Sequence, residues 1–153
     1  MNRESLEKIK QITKEFFKKT SFDIDLEILD PKENTIPIKI KTLEPKFLIG
    51  QNGQTLTEIQ HLLKAVLRKN VLENFYIDID VNGYKEKKTE YLKKMAQQIA
   101  DEVVLNKKER ILSPMPSYER RIIHLELASR KDVLTSSVNQ GPKRKIVIKP
   151  YFS

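Results

Sequence analysis

The sequence predicts an α+β protein built as two small units that are joined by a long helix. Helix-like and strand-like hydrophobic periodicities alternate along its 153 residues, a length that suits one ordinary domain or two small ones. The charge is also divided, because residues 1–106 hold 18 basic and 17 acidic side chains, whereas residues 107–153 hold 11 basic and 4 acidic ones. We therefore expect a first unit at residues 1–82, a connecting helix at 83–106 and a second unit at 107–153.

Periodicity predicts the order α-β-β-α-α-β for the first unit. Apolar residues recur every three or four positions in the helical segments and alternate with polar residues in the strands. Pro37 indicates that the N-terminal part of the second strand lies at a sheet edge. Thr55 and Glu58 have the spacing of a capping box at the start of the third helix. The predicted helices cover residues 3–19, 45–49 and 54–68, and the predicted strands cover 22–28, 36–40 and 75–81.

The same periodicities predict the rest of the chain. Apolar residues at helical spacing run through residues 84–105 and are expected to face inward. The second unit is predicted as β-α-β-β, with a short strand in 107–112, a helix at 117–129 and a hairpin of strands at 133–138 and 144–149. The inward-facing residues of the connecting helix are predicted to be Tyr84, Tyr91, Leu92, Met95, Ile99 and Val103.

The composition excludes several classes of protein. Without cysteine, the chain has no disulfide framework, no thiol nucleophile and no cysteine-ligated zinc site. It has only two histidines, so we predict no metal and no cofactor. No apolar run reaches the ~18–20 residues that a membrane helix requires, and the first residues lack the apolar core of a signal peptide. We therefore expect a cytoplasmic protein without stable membrane insertion.

The basic excess indicates a polyanionic partner. The net charge is +8, and nearly all of the excess lies in residues 107–153. A basic end of this kind suits either nucleic acid or an acidic membrane surface.

The first candidate binding element is the sequence Gly50-Gln51-Asn52-Gly53, which lies between a short helix and a longer one. Glycines allow the backbone to approach a sugar-phosphate chain closely, and the amides at the start of the next helix favour an anion. A tight turn between two helices is the alternative interpretation. The glycine spacing fits neither a dinucleotide-binding loop nor a Walker-type loop.

In its context, this GxxG loop resembles that of a type II KH domain. The similarity covers residues 3–81 and rests on the loop and on the α-β-β-α-α-β order. It implies that single-stranded nucleic acid is clamped over about four nucleotides along the loop. KH loops commonly carry a basic residue between the glycines, whereas this chain has Gln51 and Asn52, so Lys46 is the nearest upstream cation.

The second candidate binding element is Arg120-Arg121-Ile122-Ile123-His124 on the helix of the second unit. Arg120 and His124 are four residues apart and share a helix face, and both side chain types can contact phosphate or stack on a base. An amphipathic helix with a polar stripe is the alternative interpretation. A nuclease could use His124 as acid or base, but no second acid–base group or carboxylate cluster accompanies it, so we predict no enzyme and no catalytic residue.

The run from Pro116 to His124, followed by a basic hairpin, resembles an R3H domain. A KH domain followed directly by an R3H domain is similar to the bacterial Jag (KhpB) family, over residues 3–150. This resemblance implies a non-enzymatic RNA-binding protein that is associated with RNA regulation, cell elongation and division, and that pairs with a small KH-only protein. Many members carry an additional N-terminal domain, which we expect this chain to lack.

The leading hypothesis is therefore a binder of single-stranded RNA, with single-stranded DNA left open. The alternatives are a protein–protein adaptor, which pairs through the edge of the second strand or forms a homodimer, and a membrane-surface binder. Lys143, Arg144 and Lys145 are expected to extend the nucleic-acid surface of Arg120, Arg121 and His124. The wider cationic set comprises Lys107, Lys108, Arg110, Arg130, Lys131 and Lys149.

Overall fold

The computed structural model describes residues 1–152, and the chain divides between Lys85 and Glu86 into two compact units. Each unit combines helices with a three-stranded sheet, which confirms the predicted α+β class. Among the described residues, we find no helix with the length and apolarity that a membrane crossing demands.

The first unit has the predicted order of elements, and its core lies between a sheet and two helices. Ile36, Ile38 and Ile40 alternate along the second strand and lie opposite the apolar residues of the third strand. Together with buried residues of the first and third helices, they form one apolar core. The elements are α1 (Arg3–Lys18), β1 (Asp25–Ile28), β2 (Thr35–Lys41), α2 (Pro45–Ile49), α3 (Gln54–Arg68) and β3 (Tyr76–Val81).

The sheet edge predicted at the N-terminal part of the second strand does not extend along the rest of β2. β2 is the middle strand, because it pairs antiparallel with β1 and parallel with β3. Pro37 is tolerated there because it lies just beyond the end of β1, where its carbonyl accepts a 2.9 Å bond from the Leu29 amide. Because proline has no N–H, only the last hydrogen bond between β1 and β2 is absent.

The long helix α4 (Tyr84–Asn106) contributes most of its buried residues to the second unit. Tyr91 was expected to face inward, but it is 59% exposed. The buried stripe instead runs through two alanines, which allow close packing. Its fully or nearly buried members are Leu92, Ala96, Ile99, Ala100 and Val103.

The remaining elements of the second unit follow α4 in the predicted order β-α-β-β. They are β4 (Arg110–Ile111), α5 (Ser117–Leu127), β5 (Val133–Val138) and β6 (Lys145–Pro150). All pairings are antiparallel, and β6 lies between β4 and β5. Ile146 and Ile148 of β6 belong to the core, and their partners across the ladder are Ser137 and Thr135 of β5. These two hydroxyl residues therefore face the helix side of the sheet, whereas Ser136 faces the other side.

Candidate nucleic-acid interface

The loop between α2 and α3 depends on both of its glycines. Gly50 has φ +70° and ψ −174°, a conformation that is essentially restricted to glycine. A Cβ atom at this position would lie 2.0 Å from the Thr55 hydroxyl oxygen. Gly53 has φ +76°, and a Cβ atom there would lie 3.3 Å from the Tyr84 ring. Glycine is therefore required at position 50, and it is favoured at position 53, where both the left-handed backbone and the Tyr84 ring disfavour a side chain.

Between the glycines, the loop exposes neutral polar groups. Gln51 and Asn52 are exposed, and Asn52 adopts φ +54°, which asparagine tolerates better than most residues. Lys46 is also exposed, and its carbonyl accepts a 2.9 Å bond from the Gly50 amide one helical turn later. The loop thus combines amide hydrogen-bonding groups with one cation on the preceding helix.

The predicted capping box at the start of α3 is wrong. The helix begins at Gln54, its N-cap is Gly53, and no side chain caps it. Thr55 lies inside the helix and fills the space beside Gly50 instead. The first amides of α3 are consequently left without a side-chain acceptor at the end of the loop.

The second unit contains a shallow pocket of about 300 Å³ between α5, β5 and the start of β6. Arg120 and His124 lie one helical turn apart on α5 and line the pocket together. Arg144 is the residue immediately before β6. The pocket is lined by Ser117, Arg120, Arg121, His124, Leu125, Ser137 and Arg144.

His124 is held by two hydroxyl groups of β5. Its Nδ1 atom lies 2.7 Å from Thr135 Oγ1, and its Nε2 atom lies 3.0 Å from Ser137 Oγ. Burial lowers the pKa of His124, and the charges of Arg120 and Arg144 lower it further. The imidazole is therefore neutral at pH 7, and it contributes hydrogen bonds to the site rather than charge.

The arginines supply the positive charge of the pocket. Arg120 Nε is buried and has no hydrogen-bond partner among the described residues. Arg144 is exposed, and its backbone is fixed by two bonds: its amide donates to Gly141 (3.1 Å) and its carbonyl accepts from Met115 (3.2 Å). A buried donor without an acceptor, beside exposed guanidinium groups, suits an anion such as phosphate.

The structure brings together Arg120, Arg121, His124 and Arg144, which the sequence had selected. Lys143 and Lys145 do not line this pocket. Lys145 lies opposite Val138 in the ladder and so faces away from Thr135 and Ser137. The sequence analysis missed four residues, of which the alternation of β5 could have indicated Thr135 and Ser137 and the start of α5 could have indicated Ser117. They are Ser117, Leu125 and Ser137, which line the pocket, and Thr135 behind it.

Some members of the wider cationic set are engaged in ion pairs. The Arg130 guanidinium donates to both oxygens of Asp132 (2.9 and 2.8 Å) and to Asp101 (2.7 Å). These hydrogen bonds raise the pKa of Arg130 and lower that of Asp132. Arg110 pairs with Glu102, and the Lys149 Nζ atom lies 3.8 Å from Glu109 Oε2. We therefore assign Arg130 a structural role within the second unit.

Comparison with known proteins supports the assignment of the second unit. The family model of the R3H domain matches residues 90–150, a range that begins within α4. The chain is 35% identical over 126 residues to the RNA-binding protein KhpB of Clostridium symbiosum, covering 82% of this chain and 56% of that protein. It is 32% identical to the RNA-binding protein KhpB of Bacillus subtilis, covering 81% and 60%.

A third relative, the RNA-binding protein KhpB of Lactiplantibacillus plantarum, is 33% identical over 111 residues, which are 72% of this chain and 34% of that protein. The chain thus spans between about a third and three fifths of the length of these three curated relatives.

Proposed function

Because the chain belongs to the bacterial Jag (KhpB) family, we propose that it binds single-stranded RNA and carries out no catalysis. The observation that carries this proposal is the pocket of Arg120, Arg121 and Arg144 around a neutral His124. From Glu86 onward, the chain holds 15 basic and 8 acidic side chains, so the pocket lies in the strongly basic unit. Guanidinium groups at such a site contact phosphates, which gives affinity without catalysis.

We further propose that residues 1–82 form a type II KH domain. The supporting observations are the order of elements in the first unit and the GxxG loop, in which both glycines have positive φ. In this proposal, Lys46 and the loop from Gly50 to Gly53 contact the sugar-phosphate backbone while unstacked bases lie beside it. In the same proposal, the second unit is an R3H domain: the family model matches residues 90–150, and α4 supplies one wall of the core. Its predicted start at residue 107 stays a prediction.

The pocket is tested by binding of a labelled single-stranded RNA, measured by fluorescence anisotropy beside DNA of the same sequence and a duplex. Arg120→Ala is compared with Arg110→Ala, which removes the same charge from a residue that is paired with Glu102. We expect a roughly tenfold rise in Kd for Arg120→Ala, because a charge-assisted hydrogen bond is lost. Equal effects of the two variants would show that only net charge matters.

The loop is tested by adding the missing cation. Gln51→Lys places a positive charge between the glycines, whereas Gln11→Lys places the same charge on an exposed position of α1. We expect only the first variant to strengthen RNA binding and to make the salt dependence steeper by about 0.7 in the log–log slope. Equal behaviour of both variants would argue against a phosphate contact at the loop.

The family also suggests the biological setting. We propose a cytoplasmic post-transcriptional regulator linked to cell elongation and division, with a small KH-only protein or a second copy as a partner. Light scattering of the purified chain, alone and with a KH-only protein, tests the partner. Binding to acidic vesicles that RNA does not compete away would favour the membrane-surface alternative instead.

A further inference from the structure

The contacts of His124 restrict how protons are arranged in the pocket. The neutral imidazole has one N–H donor and one acceptor nitrogen, and both nitrogens face hydroxyl groups. The hydrogen bonds can therefore run from Thr135 through His124 to Ser137, or in the opposite direction. Ser137 lines the pocket, whereas Thr135 is not among the residues that line it.

One pair of distances and one electrostatic argument favour the direction towards Ser137. The Thr135 contact is 2.7 Å long and the Ser137 contact is 3.0 Å long, and O–H donors give shorter bonds than N–H donors do. In the opposite direction, the Ser137 hydroxyl would use its proton on His124 and present only lone pairs to a pocket lined by arginines. Lone pairs repel the anion that those arginines attract.

We propose that the Ser137 hydroxyl is an anion-binding group of this pocket, and that Thr135 and His124 position its proton. The Thr135 hydroxyl donates to Nδ1, Nε2–H donates to Ser137 Oγ, and the Ser137 hydroxyl donates to a phosphate oxygen of the ligand. This inference rests on the proposed binding of RNA by the same pocket. The Ser137 hydroxyl would then be a neutral donor to the same phosphate, beside the buried and unpartnered Nε of Arg120.

The direction of the bonds is tested first on the wild-type chain, and His61→Gln serves only to assign the histidine signals. Nitrogen-15 NMR distinguishes the two imidazole tautomers, and the chain has only two histidines, so His61→Gln assigns both. We expect His124 to carry its proton on Nε2, both in the free chain and with RNA bound. A proton on Nδ1 would overturn the proposal.

The role of Ser137 is tested by RNA binding of four variants of the full chain. We expect Ser137→Ala to raise Kd roughly tenfold, because a hydrogen bond to a charged group is lost. Thr135→Val should raise Kd roughly threefold and disturb the His124 tautomer, because it acts through that ring. Ser136→Ala is the matched control, since this exposed serine faces the other side of β5. Arg120→Ala, which should raise Kd, tests whether RNA binds at this pocket.

The salt dependence separates this role from general damage to the pocket. Ser137→Ala should leave the log–log slope unchanged, whereas Arg120→Ala should reduce it by about 0.7. If Arg120→Ala weakens binding and Ser137→Ala does not, the proposal for Ser137 is wrong while the proposed function stands. If the wild-type chain binds no RNA, the proposed function fails, and the assignment of the phosphate ligand fails with it.

Discussion

At the scale of the residue, Gly50 and Gly83 show two different demands for glycine. Both have positive φ, +70° and +71°. A Cβ atom at Gly50 would overlap the Thr55 side chain, whereas a Cβ atom at Gly83 would have no neighbour within 4 Å. The first position requires glycine for both its conformation and its packing, and the second for its conformation alone.

This difference predicts unequal losses of stability. Gly83→Ala should lower the free energy of unfolding by about 1 kcal/mol, the cost of a left-handed alanine. Gly50→Ala should lower it by roughly 3 kcal/mol or more, because steric overlap adds to backbone strain. Urea unfolding followed by circular dichroism measures both values. Equal losses would mean that Thr55 moves aside freely.

The pKa of His124 predicts how stability depends on pH. Burial lowers this pKa, with further lowering by Arg120 and Arg144, while the unfolded chain keeps the ordinary value near ~6.5. The stabilisation that neutral His124 provides is therefore complete above about pH 6.5 and is lost as the pH falls through the folded pKa. We expect the free energy of unfolding to decrease below that pH.

His124→Gln should reduce this pH dependence, and the matched variant of the exposed His61, His61→Gln, should preserve it. Urea unfolding at several pH values makes the comparison, and carboxylates contribute equally to all three chains. Identical pH profiles for His124→Gln and the wild type would contradict the assignment.

At the scale of the element, Arg130 joins the segment before β5 to α4. Its guanidinium contacts Asp132 on its own segment and both Gln97 and Asp101 on α4. Three acceptor residues from two segments of the chain hold one planar donor, so the segment before β5 and the helix are fixed together. This contact explains why an arginine from the basic part of the chain is unsuited to binding phosphate.

We therefore expect Arg130→Ala to act on stability and not on binding. The free energy of unfolding should fall by about 1 kcal/mol, since the pairs are partly exposed. The Kd for RNA should change no more than it does for Arg110→Ala, which removes the same charge. Thermal unfolding and anisotropy measure the two effects, and a rise in Kd as large as that of Arg120→Ala would refute the structural role.

Periodicity predicted the elements well because helices and strands bury one face each. It located six segments of the first unit in their observed order, although β1 begins at Asp25 rather than at residue 22. It did not predict that β2 lies between β1 and β3, because the parallel pairing with β3 joins residues about 40 positions apart. It also misplaced Tyr91, because the small residues Ala96 and Ala100 carry the buried stripe there.

At the scale of the whole molecule, the uneven charge should govern binding. The first unit is nearly neutral, and the excess of basic side chains lies from Glu86 onward. If five to seven phosphates are neutralised, the logarithm of the affinity should fall with that of the salt concentration with a slope of about −3.5 to −5. Anisotropy titrations at several salt concentrations measure the slope, and a value near zero would exclude this basic surface as the source of affinity.

Most of the candidate site that the sequence predicted lies on one helix. Arg120, Arg121 and His124 share α5, so their spacing along the sequence sufficed. Ser137 and Arg144 reach the pocket through the register of β5 with β6 and through backbone bonds at Arg144. The basic hairpin predicted Arg144 only together with Lys143 and Lys145, which are equally basic. The alternation of β5 assigns Ser137 to one face of the strand, but the register with β6 is needed to place that face at the pocket.

The central position of β6 has a consequence for how the molecule is made. Among the described residues, β4 and β5 each pair with β6 and not with each other, and β6 is synthesised after both of them. The first unit has all its strands once residue 81 has left the ribosome and can fold while synthesis continues. The second unit must wait for residues 145–150, so a nascent chain halted before them would carry one finished unit and one still open.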